Sequence, residues 1–270
     1  MSSGDEWTQA DVAGLLREPT DADDKYSRGV VGMHTGSDRY PGAAVLGVEA
    51  AWRTGAGMVR YVGPARDLVL ARRPETVTVD GRVQARVVGS GTDRADRRPE
   101  EAEALREILG GDVPVVVDAG ALDLVEGASA PLVLTPHDRE HAALRSARGF
   151  PEMADRAGAA RDTAARLGCV VLLKGATTIV TSAGGGAQRT VTTGVPWLAT
   201  AGTGDVLAGI LGALLATGVD PFACAASAAW IHGRAGAAAS SAHGGGPLVA
   251  LDVAEAVASV IGGVLSARQG

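Results

Sequence analysis

Apolar residues in this chain follow two rhythms that take turns. Short unbroken runs, VVGMH at 30–34, MVRYV at 58–62, ARVVG at 85–89, VVVD at 115–118, LVLT at 132–135 and CVVLLK at 169–174, are bounded by Gly, Pro or polar residues. Such runs predict strands buried on both faces. Between them lie stretches with helical spacing: PGAAVLGVEAAWR from 41, RPEEAEALREILGG at 98–111, and MADRAGAARDTAARLG at 153–168. The second carries acids in its first turn and glycines at its end, as a helix should. DAGALDLV at 118–125 also reads as a helix after its strand. TTIVTSAGGGAQRTVTTG at 177–194 reads as a hairpin around AGGG. From Asp205 onward the pattern is helical to the C-terminus. Strands alternating with helices predict an α/β fold with a mostly parallel sheet. No shift in composition and no fixed-period repeat divides the chain. The expectation is therefore a polar leader at 1–25 followed by one domain at 26–270.

In open parallel sheets ligands gather beyond the carboxyl ends of the strands. The residues there are His34 to Ser37, Gly89 to Thr92, Asp118, Thr135 to His137, Lys174 to Thr178, and Gly202 to Asp205. The last group, AGTGD, precedes a long apolar helix. A helix starting here presents unpaired amides of Gly202, Thr203 and Gly204 to an anion, and a phosphate suits them. A carboxylate beside a bound phosphate is poor for holding charge, so Asp205 is expected to move a proton. The alternative is an ordinary helix start with an acid in its first turn. Each other candidate also has two readings. Lys174 holds a nucleotide or merely leaves the core at a strand end. His137 meets a substrate or caps the next helix. Asp118 holds a magnesium-bound water or caps the helix near Ala121. His34 and His232 are weaker candidates, and His232 reads as a satisfied, half-buried histidine.

Composition narrows the chemistry. Hydrophobic residues make up 46% of the chain but aromatics only 3%, so Ala, Val and Leu must fill the core. A formal charge of -6 argues against nucleic-acid or membrane-surface partners. Cys169 and Cys224 lie in apolar context and read as buried core thiols. With no secretory pattern near the start, they suggest a reducing cytoplasm. The apolar stretch at 205–219 is too short and glycine-rich to span a bilayer. No spacing of metal ligands suggests a dedicated metal site, although magnesium arriving with a nucleotide stays open. The chain lacks the P-loop pattern, and GSGTD is not a dinucleotide-binding glycine fingerprint.

The segments DKYSRGVVGMHTGSDRYPGAAVLGVEAAWRTGAGMVR, VVGSG, VVVDAGAL, LVLTPHDRE, VVLLKGATTIV and LATAGTGDVLAGILGALLATGVDP occur in that order and at matching spacing. Together they resemble the ADP-dependent NAD(P)H-hydrate dehydratase family, a branch of the ribokinase-like three-layer α/β/α fold with a central, mostly parallel sheet. The resemblance implies repair of a damaged cofactor. The hydroxyl on the hydrated nicotinamide ring (the S-epimer) is phosphorylated from ADP or ATP with Mg2+, then eliminated to restore NADH or NADPH. It implies that Asp205 is catalytic and that Gly202, Thr203 and Gly204 form an anion hole. Lys174, Gly175, Ala176, Thr177, Thr178 and Gly204 would line the adenine nucleotide. Ala43, Gly91, His137 and Asp205 would line the hydrated dinucleotide. It also implies a homo-oligomer, with a tetramer as the expected form.

Several positions depart from the family's usual pattern. Ser90 stands in a GPG loop, Asp138 and Arg139 stand in place of PG before Glu140, and Ala201 replaces the first glycine of GGTGD. TTGVP at 192–196, with Val195, replaces an asparagine-containing NxxGN. Many relatives carry a fused epimerase domain, for which 270 residues leave no room. Two other classes therefore stand beside the dehydratase: a kinase of a small alcohol on the same fold, and a silent nucleotide-binding protein.

Overall fold

In the computed structural model, residues 6–268 are described. Eight strands form one sheet: β1 (Val30–His34), β2 (Met58–Tyr61), β3 (Ala85–Val88), β4 (Val115–Val117), β5 (Leu132–Leu134), β6 (Val170–Leu173), β7 (Thr178–Thr181) and β8 (Gln188–Val191). Their order is β2-β1-β3-β4-β5-β6-β7-β8. Pairing is parallel from β2 to β6 and antiparallel from β6 through β8. The mostly parallel sheet and terminal hairpin expected from the sequence are both present.

The apolar runs are buried on two faces because alternate residues enter two cores. In β4, Val116 joins one core while Val115 and Val117 join the other. The first core is built on α2 (Gly42–Arg53), α3 (Arg66–Arg72), α7 (Thr203–Leu215), α8 (Pro221–Ala242) and α9 (Ala250–Ser266). The second lies beneath α4 (Pro99–Leu109), α5 (Asp138–Ala147) and α6 (Arg156–Leu167). Helices on both faces of the sheet make three layers.

Few aromatics mean that close approach, not bulk, fills the first core. A methyl group on Gly209 of α7 would collide with the Gly47 carbonyl of α2, and one on Gly212 would collide with Val87 of β3. These two glycines let α7 press against both neighbours. That fixes where its N-terminus emerges above the sheet.

Besides α3, which it did not foresee, the sequence reading differs from the structure in three places. α7 begins at Thr203, not Asp205, because Gly202 takes the left-handed conformation (φ 91°) that starts it. After β4 the chain forms a six-residue 3-10 turn, Ala119–Leu124, instead of an α-helix. Its entry residue Ala119 has φ 42°, and Gly120 is pressed against the Thr92 backbone, so a regular helix has no clear start. The segment read as a polar leader contains α1 (Gln9–Leu15), capped by Thr8 and Asp11. Val12 of α1 is wholly buried, and Trp7 Nε1 donates to Ser227 Oγ at 3.1 Å.

Candidate functional site

Four adjacent parallel strands each deliver one polar residue from the carboxyl end to a shared point. Asp118, after β4, is 2% exposed. Its Oδ1 accepts from Thr135 Oγ1 at 2.8 Å and from Lys174 Nζ at 2.9 Å, and its Oδ2 accepts from Ser90 Oγ at 2.9 Å. A buried carboxylate needs this compensation. The Asp118 side chain makes no cap bond, so the capping alternative is wrong: the hydrogen bonds it accepts come from the ends of neighbouring strands. Nor does Lys174 leave for solvent, because its strand-end position aims it back at this carboxylate. Burial alone would lower its ammonium, but Asp118, Glu140 and Asp205 hold it above the ordinary lysine value.

Lys174 Nζ also faces α7, 3.5 Å from where a Cβ on Gly204 would lie. A methyl group there would sit in ordinary contact with the ammonium, so Lys174 lies directly over the bare backbone of the helix start. The amides of Thr203 and Gly204 belong to the first turn, where no intrahelical carbonyl can reach them. The Thr203 hydroxyl donates to the Leu198 and Thr200 carbonyls, tying the helix start to the preceding loop. Beside them, burial pushes Asp205 up to about 7, with the Asp118 carboxylate adding to the effect and Lys174 opposing it. A carboxylic acid near neutrality is suited to accept and return protons.

His137 does cap α5, but with a ring nitrogen. Its Nδ1 accepts from the Arg139 and Glu140 amides at 3.1 and 3.2 Å, and Glu140 accepts from the His137 amide at 2.8 Å. Accepting at Nδ1 places the neutral ring's proton on Nε2. A backbone bridge joins His137 to Lys174, tying the loop after β5 to the loop after β6. Arg156 at the start of α6 holds both loops. It donates to the Lys174 and Thr177 carbonyls at 3.0 Å each and to Asp138 Oδ1 at 2.8 Å. A side chain at Gly175 would meet this guanidinium at 2.5 Å.

These loops open onto a cleft of about 1160 Å³ between the β5–β8 strand ends and helices α7 and α8. Lys174, Gly175, Ala176, Thr178, Thr203, Gly204 and His137 all line it. Thr177 turns its carbonyl to Arg156 instead. Ala43 and Gly91 lie apart from this cleft, against each other: a methyl group on Gly91 would overlap the Ala43 side chain. His232 also lines the cleft, and it departs from the satisfied histidine expected. One ring nitrogen pairs with the Thr203 backbone, but Nε2 is buried without a partner among the described residues. Burial lowers its pKa to about 4.

Sequence reasoning missed Arg156, since an arginine at a helix start carries no signal of the loop it will grip. It also passed over the use of its own departures. Ser90 donates to Asp118, Asp138 pairs with Arg156, and Arg139 and Val195 line the cleft. Among the described residues no three His, Cys, Asp or Glu side chains converge to hold a metal, and no helix is long and apolar enough to cross a membrane.

The chain as a whole has counterparts. A family profile described as NAD(P)H-hydrate dehydratase matches residues 31–258. The bifunctional NAD(P)H-hydrate repair enzyme Nnr of Mycobacterium tuberculosis is 48% identical over 223 residues, covering 77% of this chain and 45% of its own. The chain thus spans about half the length of the curated relatives it matches. Among solved structures, the ADP/ATP-dependent NAD(P)H-hydrate dehydratase of Bacillus subtilis, co-crystallised with ATP and Mg2+, superposes with a TM-score of 0.84 at 26% identity, covering 97% of this chain and 100% of its own. A ribokinase-like superfamily protein of Enterococcus faecalis reaches a TM-score of 0.85 at 22% identity, covering 98% of both chains, and shares the fold.

Proposed function

The chain belongs to the NAD(P)H-hydrate dehydratase family, and from that premise we propose that it restores NADH or NADPH from the S-epimer of the hydrated cofactor, using ADP or ATP as phosphoryl donor. The observation that carries this reading is one acid and one cation gathered at an open helix start: Asp205, raised to about 7, and Lys174 over Gly204.

In this reading the donor's phosphates lie in the large cleft, against Lys174 and the Thr203 and Gly204 amides. The hydrated ring lies toward Ala43, Gly91 and His137. Asp205 takes the proton from the ring hydroxyl as its oxygen attacks the terminal phosphorus, and the bond to the donor's bridging oxygen breaks. The helix amides and Lys174 receive the charge that develops on the transferred group. The ring nitrogen's lone pair then expels phosphate, and loss of a proton from the neighbouring ring carbon restores the double bond. Water is removed overall, at the cost of one phosphoanhydride. Magnesium fits as a companion of the donor's phosphates, where it would screen their charge. Among the described residues no cluster of His, Cys, Asp or Glu offers it a cage of its own. A soluble cytoplasmic enzyme and a homo-oligomer, tetrameric by the family's habit, complete the proposal.

The test follows NADH absorbance as purified hydrate is consumed with Mg2+ and ADP, ATP or no nucleotide. Recovery that needs a nucleotide supports the reading and names the donor. Accumulation of a stable phosphorylated product would make the protein a small-alcohol kinase.

A further inference from the structure

A second cleft, of about 620 Å³, opens beyond the carboxyl ends of β1 and β2 and the β3 loop. It adjoins the residues expected to hold the hydrated dinucleotide. Gly36 lines it, and the Gly36 amide donates to the Ser90 carbonyl at 2.8 Å, while the Cα of Gly36 lies 3.2 Å from where a Cβ on Gly91 would sit. If the donor fills the first cleft, a dinucleotide reacting at Asp205 must send its far half in the other direction.

The second cleft has a mixed lining. Leu105 and Ile108 of α4, with Val62 and Pro64, give it an apolar side. Thr35 lines it, and at 1% exposed its hydroxyl is buried with no hydrogen-bond partner among the described residues. Arg97 Nε is likewise buried and unpartnered.

Its charge is the informative part. The cleft presents the carboxylates of Asp38 and Asp93, beside those of Asp96 and Glu101, which are spent on arginines. Its three arginines are already held: Arg39 by Asp96 at 3.0 Å, Arg98 by Glu101 at 2.7 Å, and Arg97 by Asp123 at 2.7 Å. A phosphate is recognised by a guanidinium fork with no competing carboxylate, whereas a bare ribose offers hydroxyls that carboxylates accept.

Resting on the dehydratase reading, we propose that this cleft holds the adenosine half of the hydrated dinucleotide and selects the form with an unphosphorylated ribose, hydrated NADH over hydrated NADPH.

The experiment compares kcat/KM for the two S-hydrates on the full chain, with saturating nucleotide and Mg2+. Hydrated NADH should be favoured by about tenfold or more, mostly through KM, since like charges across a binding surface are strongly disfavoured. The double variant Asp38→Asn, Asp93→Asn should narrow the gap by improving hydrated NADPH. Equal values, or preference for hydrated NADPH, overturn the inference while leaving the dehydratase reading intact. Turnover of neither hydrate overturns that reading, and the inference with it. Ala104→Trp, at an exposed position of α4 on the cleft's edge, should raise KM for the hydrate without changing KM for the donor. An unchanged KM for the hydrate places the adenosine half elsewhere.

Discussion

Asp205 is poised by what surrounds it, and two predictions follow from those surroundings. With its carboxyl pushed up to about 7 by burial and by Asp118, a base at this position is protonated and idle in acid. The kcat/KM for hydrate should therefore rise with pH through about 7 and level above it. Asp118→Asn removes the repelling charge and leaves Lys174 unopposed, so the midpoint of that profile should move to lower pH. A profile flat from acid to alkali would remove Asp205 from proton transfer. Asp205→Asn keeps the helix start and its amides, and should cut kcat by about 10²–10⁴-fold while nucleotide binding, measured by calorimetry, is retained. Lys174→Ala is a different kind of change. It leaves Asp118 buried without its cation, and should cost about 3–5 kcal/mol in a urea titration as well as weakening the donor.

Among the elements, α6 and α7 do the positioning. Arg156 reaches from the first turn of α6 to the backbone of the loop after β6. Arg156→Ala should raise KM for the nucleotide about tenfold or more with a smaller effect on kcat, and Arg156→Lys should not restore it, because an ammonium lacks the fork that spans two carbonyls. A KM unaltered by Arg156→Ala would show that the loop stands without its clamp. Gly209→Ala should destabilise by about 1–3 kcal/mol through collision with α2, visible as a lower denaturation midpoint. The strands were legible in the sequence because each apolar run is buried on both faces and bounded by turn residues. α7 was legible through its length and its AGTGD start. The clamp was not, since Arg156 and Gly175 are nineteen positions apart and only the fold makes them touch. Ser90 looked like a lost proline, whereas its hydroxyl has a task that proline cannot perform.

For the whole molecule, the sheet is shared by both cores, so the layers should unfold together. Trp7→Ala should report this: it removes the bond to Ser227 and the edge contact with Phe222, and should cost about 2–4 kcal/mol. Tryptophan fluorescence and far-ultraviolet circular dichroism should still fall in one transition, and separate transitions would mean that the two faces melt independently. α1 escaped the sequence reading because only a few apolar residues mark it amid polar ones, and its partners lie more than two hundred positions away. The convergence on Asp118 bears on how such a sheet is assembled. Slipping any one of four strands by a single residue turns its terminal side chain to the opposite face, and the acid loses either a donor or its own place among them. A misaligned sheet would carry an unanswered charge in its interior. The same atoms that hold the lysine in place therefore proofread the alignment of the strands, and only a correctly threaded chain acquires a working site.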